Sequence, residues 1–145
     1  MMKWSLVLTM ASACLPMAVD ARQAASTASS LPLEPMSHAD AEQAGAVGTG
    51  CTWRGGPGRK ARLSMADDRA AVRRNGIVVA LKPAADAKGL FFTYDRWIGV
   101  GIRIVVRDSG KVVSRGHEFS ETVAWITMTA DGLTRTWQGH LNCGS

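Results

Sequence analysis

Residues 69–82 read RAAVRRNGIVVALK, and this stretch decides the fold. Asn75-Gly76 at its centre tolerates the positive φ that both central residues of a two-residue type I′ turn require. Such a turn sets the pairing: Arg74 opposite Ile77, Val72 opposite Val79, Ala70 opposite Leu81. Side chains alternate along a strand, so Ala70, Val72, Ile77, Val79 and Leu81 form one apolar face. Arg69, Arg73 and Lys82 fall on the other. Turn chemistry and hydrophobic pattern agree on an antiparallel hairpin.

The same grammar extends on both sides. Cys51–Arg54 forms a short first strand, Gly55-Gly56-Pro57-Gly58 a flexible connection, and Ala61, Leu63 and Met65 alternate with Arg62 and Ser64. Beyond the hairpin, Leu90–Tyr94 predicts a fifth strand. Ile98, Val100, Ile102, Ile104 and Val106 then line one face of a long strand, with Gly99 and Gly101 marking a bend. Asp108-Ser109-Gly110 turns the chain into Val112–Arg115. A second I′ signal, Asp131-Gly132, joins Val123–Ala130 to Leu133–Cys143, placing Ile126 opposite Trp137 and Met128 opposite Arg135. Residues 51–145 are therefore expected to be all-β, a small antiparallel barrel or two-sheet sandwich of eight or nine strands.

Cys51 and Cys143 sit on the first and last of these strands, and a disulfide between them is expected to fasten the two together. In the chain-entropy account, closing a loop of this length contributes about 4–5 kcal/mol. A core this small needs such a contribution.

The first 21 residues have the layout of a signal peptide: basic Lys3, an apolar run from Trp4 to Ala13, Pro16, and the small-residue site Val19-Asp20-Ala21. This implies a periplasmic or secreted protein, where a disulfide is stable. Ala11-Ser12-Ala13-Cys14 also resembles a bacterial lipobox, which gives a second reading: lipidation at Cys14 and a membrane-anchored lipoprotein. The apolar run is shorter than the roughly 20 residues that span a bilayer, so no transmembrane span is expected. Residues 22–50 are rich in Ala, Ser, Pro and Gly, lack aromatics, and are expected to form a disordered tether.

The chain carries a formal charge of +5. From Cys51 onward there are 15 Lys and Arg against 8 Asp and Glu, a net +7. Such a domain favours anionic partners. The candidate ligand-binding residues are Trp53, Arg54, Arg59, Lys60, Arg62, Arg69, Arg73 and Arg74, a basic cluster with an aromatic member. The expected function is a non-catalytic binding module for an anionic envelope component or another exported protein, of the inhibitor or immunity type. Nucleic acid is not an expected partner for an exported chain.

Two alternatives are a hydrolase of envelope polymers and a structural envelope protein. The hydrolase would use His117-Glu118-Phe119-Ser120-Glu121. That loop offers a His and two carboxylates but lacks the second His, one helical turn on, of a zinc protease. No Gly-x-Ser-x-Gly elbow or phosphate-binding loop is present, and no cofactor, metal or catalytic residue is assigned. In general layout, as a small, exported, tryptophan-containing β domain with one expected disulfide between Cys51 and Cys143, the chain is similar to bacterial lysozyme inhibitors of the membrane-bound C-type class. The similarity includes no inhibitory loop, and a +7 domain is the wrong sign for capturing cationic lysozymes.

Overall fold

The structure, a computed structural model, describes residues 31–145. The expected signal peptide, Cys14 and the first part of the expected tether lie outside the described residues. Ten strands follow a short helix: α1 (His38–Gln43), β1 (Gly50–Gly55), β2 (Lys60–Ala66), β3 (Arg69–Arg74), β4 (Ile77–Pro83), β5 (Gly89–Leu90), β6 (Thr93–Tyr94), β7 (Arg96–Gly99), β8 (Ile102–Arg115), β9 (Phe119–Ala130) and β10 (Leu133–Gly144). Eight close into an antiparallel barrel in the order β1-β10-β9-β8-β7-β4-β3-β2, while β5 and β6 form a separate small hairpin. Of the two architectures the pattern allowed, the chain adopts the barrel.

Both I′ turns form where the dipeptides stand. Arg74 pairs with Ile77, Val72 with Val79 and Ala70 with Leu81. Across the second turn Ile126 pairs with Trp137 and Met128 with Arg135. Asn75 and Asp131 adopt φ of 51° and 52°, with Gly76 and Gly132 at 74° and 72°. Ile77 alone leaves the expected apolar face; beside the turn, past the barrel rim, it is exposed.

The barrel interior is filled by side chains. Trp53, Leu63, Met65, Val72, Trp97, Ile104, Ile126, Met128 and Leu141 are all fully buried. Cys51 pairs directly with Cys143 across β1 and β10, and the disulfide joins them with Cα atoms 4.1 Å apart. It staples neighbouring strands of the closed wall. Beside it, Gly55 faces Gly139 across the same pair of strands, and a β-carbon on either would overlap the Trp53 indole. Two facing glycines thus make room for the ring, whose Nε1–H donates to the Ala124 carbonyl at 3.3 Å.

Three expectations about the later strands are corrected. The run from Ile98 to Val106 is two strands: β7 and β8 pair Gly99 with Ile102 around Val100-Gly101, where Gly101 takes φ 66°. The turn reverses the parity, so Trp97 enters the core in place of Ile98. Leu90–Tyr94 breaks into the β5–β6 hairpin, with Phe91 and Phe92 exposed at its tip. Val112–Arg115 continues β8 after irregular pairing opposite β9.

The largest correction concerns residues 31–50, expected as disordered tether. Residues 31–49 form a strap on the barrel. Leu31 and Leu33 join the barrel core, and Met36, Ala41 and Ala46 bury a second small cluster against Ala71 on the outside of β3. Backbone bonds tie the strap down: Glu34 N–H donates to Arg73 O at 3.1 Å and Met36 N–H to Ala61 O at 2.8 Å. Ser37 and Asp40 cap α1 reciprocally, each side chain accepting from the other's backbone N–H. Burial at a few spaced apolar positions, with carboxylate anchors, offsets an ordering cost that composition alone makes seem prohibitive.

Candidate functional site

The eight candidate ligand-binding residues separate into three groups. Trp53 is a core residue, 1% exposed, and is corrected as a binding residue: its indole is consumed by packing. Arg62 is structural, donating from Nε to the Gly55 carbonyl at 2.7 Å and from Nη1 to the Leu33 carbonyl. It holds the strap onto the β1–β2 connection.

The hairpin arginines are largely neutralised within the fold. Arg73 lies 3.5 Å from Glu34 and 3.2 Å from Asp40, both in the strap. Arg74 pairs with Asp131 of the β9–β10 turn. Arg69, 66% exposed, approaches Asp68 only at 3.9 Å. Asp40 has its pKa lowered, first by the Ser37 backbone bond and then by the Ser37 hydroxyl and Arg73. Its ionised form therefore clamps α1 and β3 together.

Arg54, Arg59 and Lys60 remain, and they converge. They line one surface groove of about 410 Å³ together with His38 of α1, Thr52 of β1 and Ser64 of β2. Local structure explains the convergence. Pro57–Arg59 is a tight 3-10 turn between β1 and β2, with Gly56 and Gly58 at φ 68° and 70°. Arg59 itself sits at φ 46°, a left-handed conformation that non-glycine residues rarely adopt. The stretch expected to be a flexible connection is a compact corner that turns Arg59 and Lys60 toward the strap. Arg59 is held by Glu121 at 2.5 Å, while Arg54 and Lys60 form no ion pair among the described residues. Arg54 is directly opposite His140 on β10.

His38, Thr52 and Ser64 were not singled out from sequence. His38 lies in the segment assigned to the tether, and nothing local tied that segment to β1 and β2. The one available signal was Ser37-x-x-Asp40, a helix-start pattern. His117, by contrast, is exposed in the β8–β9 turn, while His140 is on β10 opposite Val123. Glu121, the last residue of that loop, is engaged by Arg59. Among the described residues no group of three or more His, Cys, Asp or Glu is arranged to hold a metal.

Fold and groove together define an antiparallel barrel with a filled interior, a strap on one flank and a basic recess beneath it. No family model matches the chain, and neither a curated protein nor a solved structure matches it significantly. Among the described residues no helix is long and apolar enough to cross a membrane.

Proposed function

We propose that this protein is a non-catalytic binding module for an anionic ligand, exported to the periplasm or envelope by its N-terminal segment. The observation that carries this reading is the groove in which Arg54 and Lys60, without carboxylate partners among the described residues, face hydroxyls and His38. A recess with two uncompensated cations attracts anions over about 10 Å at ordinary salt. Its hydroxyl donors and the Arg54 guanidinium supply directed hydrogen bonds at contact. The filled barrel leaves binding to the outer surface. An acidic protein segment and a phosphate-bearing envelope polymer both present this chemistry.

Titrating the full chain with soluble polyphosphate tests the reading. Tight, salt-sensitive binding is expected. Arg54→Glu with Lys60→Glu should weaken it at least tenfold, while Arg73→Ala, whose cation is already paired, should leave it within twofold. Equal affinity for the double variant and the natural chain would overturn the assignment.

A further inference from the structure

The opposite flank of the barrel carries a different surface. On β9 the buried residues Thr122, Ala124, Ile126, Met128 and Ala130 point inward, so Trp125 points outward and is half-buried. Its cross-strand neighbours are Arg107 on β8 and Gln138 on β10. Directly opposed residues have β-carbons about 5 Å apart, so a guanidinium and an amide flank the indole from either side. Along the strand, Thr127 and Thr136 exchange a hydrogen bond at 2.8 Å, extending a polar rim from the ring. Val105, Arg107, Trp125, Thr127 and Thr136 line a shallow depression of about 280 Å³.

Two details separate Trp125 from a core tryptophan. The indole N–H groups of Trp53 and Trp97 are both satisfied by carbonyls, at 3.3 Å and 2.9 Å, whereas that of Trp125 has no partner among the described residues. Arg107 forms no ion pair among the described residues either, although Arg103, four residues earlier on the same face, is held by Asp86 at 2.8 Å.

We propose that this face binds a saccharide unit of an acidic polysaccharide, with Trp125 as the platform under the sugar ring and Arg107 as the partner of its carboxylate. A pyranose presents an apolar C–H face and a hydroxyl rim. An aromatic plate bordered by Gln138, Thr127 and Thr136 matches both, the indole removing the apolar face from water and the side chains replacing water at the hydroxyls. The unpaired guanidinium selects for a carboxylate, which it engages through two parallel N–H bonds. Single-stranded nucleic acid fits less well: successive bases require several stacking rings along a cationic track. Here one ring and one free cation stand beside a neutral hydroxyl pair.

The test titrates the full chain with an oligogalacturonate, its methyl ester and a single-stranded oligonucleotide, read by tryptophan fluorescence and calorimetry. The oligogalacturonate should bind at least tenfold more tightly than the ester. Trp125→Ala should weaken it tenfold or more, with Trp125→Phe intermediate, and Arg107→Gln should erase the preference for acid over ester. In the Arg54→Glu, Lys60→Glu background, which removes the groove's own attraction for a polyanion, Trp125→Ala should still weaken the oligogalacturonate tenfold or more. Failure of every saccharide to bind, indifference to Trp125→Phe in a variant that melts normally, tighter binding of the oligonucleotide, or no effect of Trp125→Ala in the groove variant would each overturn the proposal.

Discussion

The flank formed by β2–β4 and the flank formed by β8–β10 belong to one closed wall, yet they meet water differently. The first is covered by the strap, and its outward arginine Arg73 is paired with Glu34 and Asp40. The second is bare, with Arg107 exposed beside an outward tryptophan and the Thr127–Thr136 pair. Similar residue types thus have opposite fates. A cation under a cover serves the fold, and one on an open face is available to something else. Formal charge per domain cannot distinguish the two, because the neutralising carboxylates come from residues 34, 40, 121 and 131, distant in sequence from their partners.

Breaking the seam between the flanks should have the largest effect. Reducing the Cys51–Cys143 bond removes about 4–5 kcal/mol by the loop-entropy estimate, and denaturant melts with and without reductant should show both flanks losing stability together. Leu33→Ala, in the strap's contribution to the barrel core, should cost about 2–5 kcal/mol. Thr134→Ala on the open flank should stay within about 0.5 kcal/mol. Equal losses in these two would erase the distinction between covered and bare. Arg73→Ala should destabilise by about 0.5–1 kcal/mol, while Arg107→Ala changes stability little, both read from chemical denaturation.

Acid should loosen the strap where it meets β3. The folded-state pKa of Asp40 lies below its ordinary value, so the carboxylate's contribution is complete above about pH 4. It is lost as the pH falls toward the depressed value. Protection of the α1 amides, taken relative to the intrinsic exchange rate at each pH, should therefore fall below about pH 4 while that of β9 is retained. The smallest effect belongs to neither flank. Phe91 holds φ 53° at the tip of the β5–β6 hairpin, and Phe91→Gly should raise stability by a few tenths of a kcal/mol as backbone strain is relieved. A loss in thermal melts would show that the exposed ring, stacked edge-on against Phe92, contributes more than its backbone costs.

Much of the barrel was legible because its information is local. Asn75-Gly76 and Asp131-Gly132 specify their turns and thereby the register of four strands. The strap was not legible, since a six-residue helix is far below the length that is stable alone and exists only by docking. The parity of β7 was lost for a related reason: Val100-Gly101 is a weaker turn signal than Asn-Gly, and the apolar alternation runs straight through it. In the candidate site the cations were visible one by one. Which of them remained available depended on carboxylates placed by the tertiary fold.

The placement of the sulfur bridge has a mechanical consequence. If the protein is pulled from residue 31 and residue 145, tension passes from Cys51 to Cys143 through the bond, and the 92-residue separation between them stays slack. Only the strap can peel away, releasing at most about 70 Å of chain before the covalent link bears the load. Anchored at one end and tugged at the other, this molecule would lengthen by a fixed amount before the bridge halts it.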